Sequence, residues 1–429
     1  MNEISLRNIQ KKKNKIVFQF EYTKSLEKYF NSDEEFFIEY FDTDIDTVPD
    51  SILVVPFLCN VLPIAWVLDA RISVPEIDEV FYKSIPEFKK GYVNMYPQLS
   101  FAGEVIASKV IANDAKTDVK EGTPLAFFSG GVDAFNTLVN HIDEKPILMT
   151  LWGSDVFFDD IEGWDNVKKH VSNTSECFSL KYKFIKSNFR KFINGKLLTE
   201  LVISKAGDHW WHGFQHGIGL IGHAAPITFN CHSKLVYIAS SFTAKDAGKV
   251  PCASDPTIDN YVRWGNTEVI HDGYEFTRQD KIKNICDFVR GNPQAKINLR
   301  VCWQSSGGKN CCKCEKCYRT IMGILAERQN PNDYGLFFSA GYNKKMERYI
   351  VYKIKMDAVA KCFWIDIQNK FLSVTDVFVQ HPELMWIAKI NFERINDSII
   401  KRVYWFMAKI KNKIKEMVKK KNKRYNVLG

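Results

Sequence analysis

The sequence predicts an α/β protein: a doubly wound parallel sheet, preceded by an N-terminal α+β region and followed by a helical C-terminal region. Three observations lead there. Short apolar runs alternate with helix-like segments through the middle of the chain, the pattern of a parallel sheet covered by helices on both faces. One run, Leu125-Ala126-Phe127-Phe128, passes through Ser-Gly-Gly directly into an amphipathic stretch. Near the C-terminus, Ile400, Val403, Met407, Ile410, Ile414 and Met417 recur at helical spacing.

The composition is that of a folded protein. The chain has 429 residues, enough for two or three domains. Hydrophobic residues make up 45% and charged residues 25%, which excludes wholesale disorder. The net charge of +9 is a property of the tail: residues 401–429 hold eleven Lys/Arg against one acid, and the rest holds 48 basic against 49 acidic groups. The body is therefore not a general nucleic-acid binder.

Residues 1–120 read as the α+β region. Strands are expected at Lys15–Tyr22, Glu35–Phe41 and Ser51–Phe57, and helices starting near Ser84 and Phe101. The longest apolar run, 17 residues from Ile52 to Leu68, is interrupted by Pro56, Asn60 and Pro63. A membrane span wants about 20 uninterrupted apolar residues, so two buried strands around a turn are expected. No secretory leader is read near Lys11-Lys12-Lys13, because Asn14 and Lys15 follow in place of an apolar stretch.

The polar stretch from Asn113 to Thr123 separates this region from a second unit, 121–330. There the strand at Leu125–Phe128 is followed by a helix at Val132–Asn140 and by strands at Pro146–Trp152, Leu235–Ala239 and Val269-Ile270. Thr277 opens another helix, with Asp280 in the position that reciprocates an N-cap. Residues 331–429 are expected to be helical and to end in a basic amphipathic helix. That helix either packs on the body or lies on an anionic membrane surface, an option that Trp405 and Phe406 keep open.

Ser129-Gly130-Gly131-Val132-Asp133-Ala134 carries the first chemical signal. Glycines between a strand and a helix let the main chain approach a ligand without an intervening Cβ. The first helical turn then offers free amide donors and a positive dipole end, which together make a phosphate site. Ser129 can donate a hydroxyl, and Asp133 can orient the loop or help hold Mg²⁺. The Lys-Ser/Thr ending of a Walker loop is missing. A second triplet, Ser306-Gly307-Gly308, has no strand before it and reads as plain loop.

The second signal is a knot of cysteines. Cys302, Cys311, Cys314 and Cys317 are spaced C-x8-C-x2-C-x2-C. Four thiolates suit tetrahedral Zn²⁺, and a closed four-sulfur shell is structural rather than catalytic. Cys312 is an alternative to Cys311, and an iron–sulfur cluster is the competing occupant. Clustered thiols of this kind imply a reducing compartment, the cytoplasm, rather than a disulfide framework.

Five of the nine histidines lie at 209, 212, 216, 223 and 232. His216 and His223 bracket a glycine-rich stretch that a ligand can approach. Substrate or nucleotide contact, plain packing, and metal binding by His212 with His216 all remain open. Further on, Asp259 lies in a substrate loop or a simple turn. Asp272 and Arg278 flank a strand-to-helix connection of the sort that faces ligands in parallel sheets. Arg278 can neutralise a phosphate and Asp272 can serve Mg²⁺.

These pieces, in this order, resemble the PP-loop ATP pyrophosphatases, and most nearly the 7-cyano-7-deazaguanine synthases. Ser129, Gly130, Gly131 and Asp133 match the loop, and the four spaced cysteines match that family's zinc pattern. Tyr237-Ile238-Ala239-Ser240-Ser241 resembles the strand and loop beside the nucleotide, and Thr277-Arg278 with Asp280-Lys281-Ile282 resembles a downstream segment. The likeness covers residues 124–328. Ala134 departs from it, standing where the family has a second serine.

The resemblance implies a Rossmann-like fold with a zinc knuckle, and ATP, Mg²⁺ and Zn²⁺ as cofactors. It implies ATP contacts from Ser129 to Asp133 and from Leu151, Trp152, Ser240 and Ser241, with Ser129, Asp133 and Arg278 catalytic. The expected activity is adenylation of a small-molecule carboxylate with release of pyrophosphate, then transfer to an amine or ammonia. Substrate contacts are expected from His216, His223, Asp259 and Asp272. An RNA-modifying enzyme of the same superfamily and a non-catalytic zinc-stabilised binding protein are the rival readings.

Overall fold

The computed structural model describes residues 2–113, 122–302, 304, 306–407 and 410. The chain opens with a hairpin, β1 (Asn2–Lys12) and β2 (Lys15–Tyr22), whose tight turn puts Lys13 in the left-handed region. β3 (Phe36–Tyr40) follows, and then a helix, α1 (Asp50–Val67). Two strands around a turn were expected over this run, so α1 is a correction. An apolar run without a period fits a buried strand or a buried helix equally, and its length decides for helix. α1 is buried all round, and Asn60 inside it donates its side-chain amide to the Pro56 carbonyl at 2.9 Å. Among the described residues it is the one helix long and apolar enough to cross a membrane, yet 89% of it is buried inside the protein.

β4 (Ala70–Asp78), α2 (Glu79–Met95) and β5 (Glu104–Ile111) complete the N-terminal region. A strand thus stands where a helix from Phe101 was expected. It pairs parallel with β4 through seven residue partners, and its side chains alternate in exposure. The boundary expected at 113–123 falls mostly outside the described residues.

Next come β6 (Leu125–Phe127), α3 (Val132–Asn140), β7 (Ile147–Trp152), α4 (Ile161–Phe178) and β8 (Tyr182–Ser187). The chain then crosses through α5 (Gly195–Ala206), α6 (His216–Ile221) and α7 (Ala225–Cys231) to β9 (Leu235–Ala239). A short α8 (Pro256–Asp259) precedes β10 (Arg263–Trp264) and β11 (Thr267–Asp272). The helices α9 (Arg278–Gly291), α10 (Glu315–Ala326), α11 (Ala340–Arg348) and α12 (Ala358–Ser373) follow. Helix continues over 399–407, while most of the basic tail lies outside the described residues.

The described strands form one sheet in the order β10-β11-β9-β6-β7-β8-β3-β2-β1-β4-β5. The run β11-β9-β6-β7-β8 is wholly parallel, as expected. Beyond it the sheet is mixed. β3 pairs antiparallel with β8, which carries the N-terminal strands onto the same sheet. Two cores lie on opposite faces. Ile147, Met149 and Val236 face α1, while Leu148 faces a core that holds Val132, Ile282 and Trp364.

This arrangement fixes where a ligand can enter. Within the parallel run β6 is first in sequence and central in space. Its neighbours β7 and β9 are reached by connections on opposite faces, through α3 and through α5–α7. A crevice opens between such strands at their carboxyl ends.

Candidate functional site

That crevice is a cavity of about 380 Å³, within the range of small-molecule sites. The ends of β6, β7 and β9 form its floor through Phe127, Leu151 and Ala239. Its rim brings together Ser129, Gly131 and Asp133 with Arg278, Arg300 and Lys316.

The turn from β6 to α3 is built around Gly130. Its φ is +76°, and a Cβ there would lie 2.3 Å from His170 Nε2. Burial pushes the His170 imidazole down to about 4, so a neutral ring underlies the turn. The turn is also stitched to the irregular segment that leads into the cysteine cluster. Arg300 N–H donates to the Gly130 carbonyl at 2.6 Å, and its Nε to the Ser129 carbonyl at 2.9 Å. No side chain caps α3, which leaves its first-turn amides free to donate to a ligand.

Asp133 is not an open ligand. It pairs with Arg278 and, at 3.5 Å, with Lys281. Burial raises its carboxyl, but Arg278 and Lys281 outweigh that and hold it at about 2. Arg278 stands at the first position of α9, fixed by the Thr277–Asp280 capping box. Lys281 also donates to the Ser240 carbonyl. Lys316 lines the cleft, and its ammonium makes neither a hydrogen bond nor an ion pair to any described residue. Burial lowers its pKa. Asp155 supplies an exposed carboxylate on the same wall.

The four cysteines form the cluster that their spacing predicts. The sulfurs of Cys302, Cys311, Cys314 and Cys317 all lie within 4.8 Å of one another. Cys302–Cys314 and Cys311–Cys317 are each 3.9 Å apart. Tetrahedral zinc with Zn–S of about 2.3 Å requires sulfurs about 3.8 Å apart, so the set fits that ion. Cys312 lies outside it, with φ +53° and its sulfur accepting from the Phe337 amide at 3.2 Å. Cys302 also lines the cleft, so the cysteine cluster adjoins the side of the cavity that carries Arg300 and Lys316.

Across the cavity stand His216, Leu220, Ser241 and Ser254. Several expected contacts lie elsewhere. His223 is fully buried, with Nε2 2.9 Å from Ser187 Oγ and a pKa driven by burial to about 4. Asp272 turns toward the end of α3, bonded to Thr137 at 2.6 Å and His141 at 2.9 Å. Asp259 is buried behind the wall, between His271 at 2.8 Å and Ser254 at 2.9 Å, so it positions Ser254 without lining the cavity. Val132 points into the core and offers only its main chain. Trp152 stacks on Trp164 at 5.1 Å, and Ser240 Oγ is taken by the Phe242 carbonyl. The second Ser-Gly-Gly is more than loop, because Gly308 reaches the cavity wall.

Sequence reasoning missed Arg300, Lys316, Lys281 and Asp155. For Lys316 a signal was present: a cation inside the Cys314–Cys317 spacing must lie wherever the metal loop lies. For Arg300 the signal was its place two residues before Cys302. Lys281 lies one helical turn beyond Arg278, which was expected at the site, and Asp155 is brought in by topology alone. No protein-family model, curated protein or solved structure matches the chain.

Proposed function

We propose that this protein is an ATP-dependent adenylating enzyme of the PP-loop type, similar to the 7-cyano-7-deazaguanine synthases. The observation that carries this reading is the meeting of the Gly130–Gly131 turn with Arg278, Arg300 and Lys316 at the switch point of the parallel strands. Free amides and three cations at one end of a cavity are the recognition chemistry of a polyphosphate.

The triphosphate lies against the turn and its cations, and the acid lies toward His216 and Ser254. A carboxylate oxygen attacks the α-phosphorus, the bond to the β-phosphate bridge breaks, and pyrophosphate leaves. Charge that grows on the leaving group is met by the first-turn amides of α3 and by Arg278, Arg300 and Lys316. An amine or ammonia then takes the acyl group and releases AMP. Mg²⁺ supplies further phosphate neutralisation when bound, and Asp155 is the carboxylate placed to hold it. The four cysteines would hold a structural zinc ion, which would pin the neighbouring Arg300 and Lys316 in place.

Isothermal titration with Mg-ATP, followed by AMP and pyrophosphate detection over a panel of carboxylic acids that includes deazapurine acids, tests this. Micromolar binding that is lost in Lys316→Ala is expected. Absence of Mg-ATP binding by the zinc-loaded protein overturns the reading.

A second reading has one specific support. Ala134 lines the cavity where a hydroxyl is expected, and Asp133 is fully engaged by Arg278 and Lys281. Nucleotide binding without turnover fits both facts. ATP binding with no AMP formed from any acid would favour it.

A further inference from the structure

Behind the cavity wall opposite the phosphate turn stands a thiol between two imidazoles. Cys252 is 2% exposed. His216 Nδ1 lies 3.9 Å from its sulfur, and the ring of His212 faces the same sulfur. Asp208 Oδ2 is 2.7 Å from His212 Nδ1, which fixes that ring and leaves Nε2 for the thiol.

The local fold holds this group tightly. The Ala253 amide donates to the His212 carbonyl at 2.8 Å. Gly217 lets the two segments touch: a Cβ there would lie 2.7 Å from the Ala253 carbonyl and 2.5 Å from Asp259 Oδ1. His216 and Ser254, on either side of the thiol, both line the cavity. The sulfur is therefore one side chain, His216, removed from the space where the acid is placed.

A buried thiol with only a packing role needs no such company. Burial alone pushes the Cys286 thiol up to about 12. Burial also pushes Cys252 up, but hydrogen bonding from His212 and His216 outweighs it and brings the thiol down to about 7. Hydrogen bonding to Asp208, and then to Cys252, raises His212 to about 10. A nucleophile, a base and a group that orients the base are the parts of covalent catalysis.

We propose that Cys252 is a covalent nucleophile that takes the acyl group activated in the cavity, with His212 as its base and Asp208 as the positioning residue. The proposal rests on the adenylation reading above. The thiol proton passes to His212, and the thiolate attacks the acyl carbon. A C–S bond forms, the C–O bond to AMP breaks, and AMP leaves with the electron pair and takes the proton from His212, which is neutral again when the amine arrives. The amine then attacks the thioester, a C–N bond forms, the C–S bond breaks, and the amine proton passes to His212. The covalent hold lets the nucleotide depart before the acceptor arrives.

The test supplies preformed acetyl adenylate to the full-length, zinc-loaded protein without ATP and maps acetylation by peptide mass spectrometry. Acetyl on the Cys252 peptide, removed by neutral hydroxylamine and absent in Cys252→Ala, is expected. His212→Gln, which keeps the thiol, should slow labelling by about a hundredfold, and Asp208→Asn should slow it less. Folding of the variants is checked by thermal melting. Labelling confined to lysines or the metal cysteines, or labelling unchanged in His212→Gln, overturns the proposal. Because the donor is preformed, labelling of Cys252 in a protein that fails to bind Mg-ATP supports the thiol site and removes only the adenylation reading.

Discussion

Arg278 and Asp133 meet as an ion pair on the rim of the cavity and tie the first turn of α9 to the first turn of α3. The two helices start at the ends of different strands, so the pair locks two sides of the crevice together. It also sets the charge that a ligand meets. One cation is spent on the Asp133 carboxylate, and Arg300 and Lys316 carry the surplus.

The pair makes stability depend on pH in a predictable direction. Asp133 sits at about 2 in the folded protein against an ordinary 3.8. Its contribution is therefore present above pH 4 and lost as the pH falls from about 4 to 2. The shift is worth about 2 kcal/mol. Urea unfolding at a series of pH values should show this loss in the wild type and its absence in Asp133→Asn. The variant should also be weaker at neutral pH, by about 3–5 kcal/mol, because Arg278 and Lys281 lose their partner. Parallel pH profiles for the two proteins would count against the pair's role.

The cysteine cluster makes a discriminating prediction about neighbours. Cys311→Ser should abolish stoichiometric zinc, while Cys312→Ser should retain it, because the Cys312 sulfur already serves the Phe337 amide. Loss of zinc should also weaken nucleotide binding, since Arg300 and Lys316 flank metal ligands and Arg300 holds the Gly130 carbonyl. Metal analysis beside calorimetry checks both. Zinc retained in Cys311→Ser with zinc lost in Cys312→Ser would reverse the assignment.

What was legible in the sequence was what adjacent residues carry. The β6–turn–α3 unit and the cysteine cluster are local patterns, and both have the form their spacing implies. What was hidden depends on distant residues or on side-chain direction. Nothing near Phe36 announces that β3 pairs with β8 and extends the parallel run into a mixed sheet. Asp272 does end a strand at the ligand-binding edge, but its side chain turns to Thr137 and His141. α1 defeated period counting because it is apolar on every side.

Asn60 in α1 offers a test of that buried helix. It accepts from Gln215 Nε2 at 2.9 Å and donates to Pro56 and Gly219 carbonyls at 2.9 and 3.3 Å. Asn60→Ala should cost about 2–4 kcal/mol, because buried partners lose hydrogen bonds. A lowered denaturation midpoint at unchanged slope is the expected readout. A cost below about 0.5 kcal/mol would show that the polar break in α1 is expendable.

Lys316 separates binding from folding. A half-buried ammonium with no ion-pair partner among the described residues loses part of its hydration without compensation. Removing the charge in Lys316→Met should therefore leave thermal stability unchanged or raise it. The same change should weaken Mg-ATP binding by about 10–100-fold, the worth of one charged hydrogen bond to a phosphate. Opposite signs for the two effects are what a ligand-directed cation produces, whereas a structural lysine would lose stability and binding together. Melting curves and titrations on the one variant decide between them, and zinc content confirms that Cys314 and Cys317 still hold their metal.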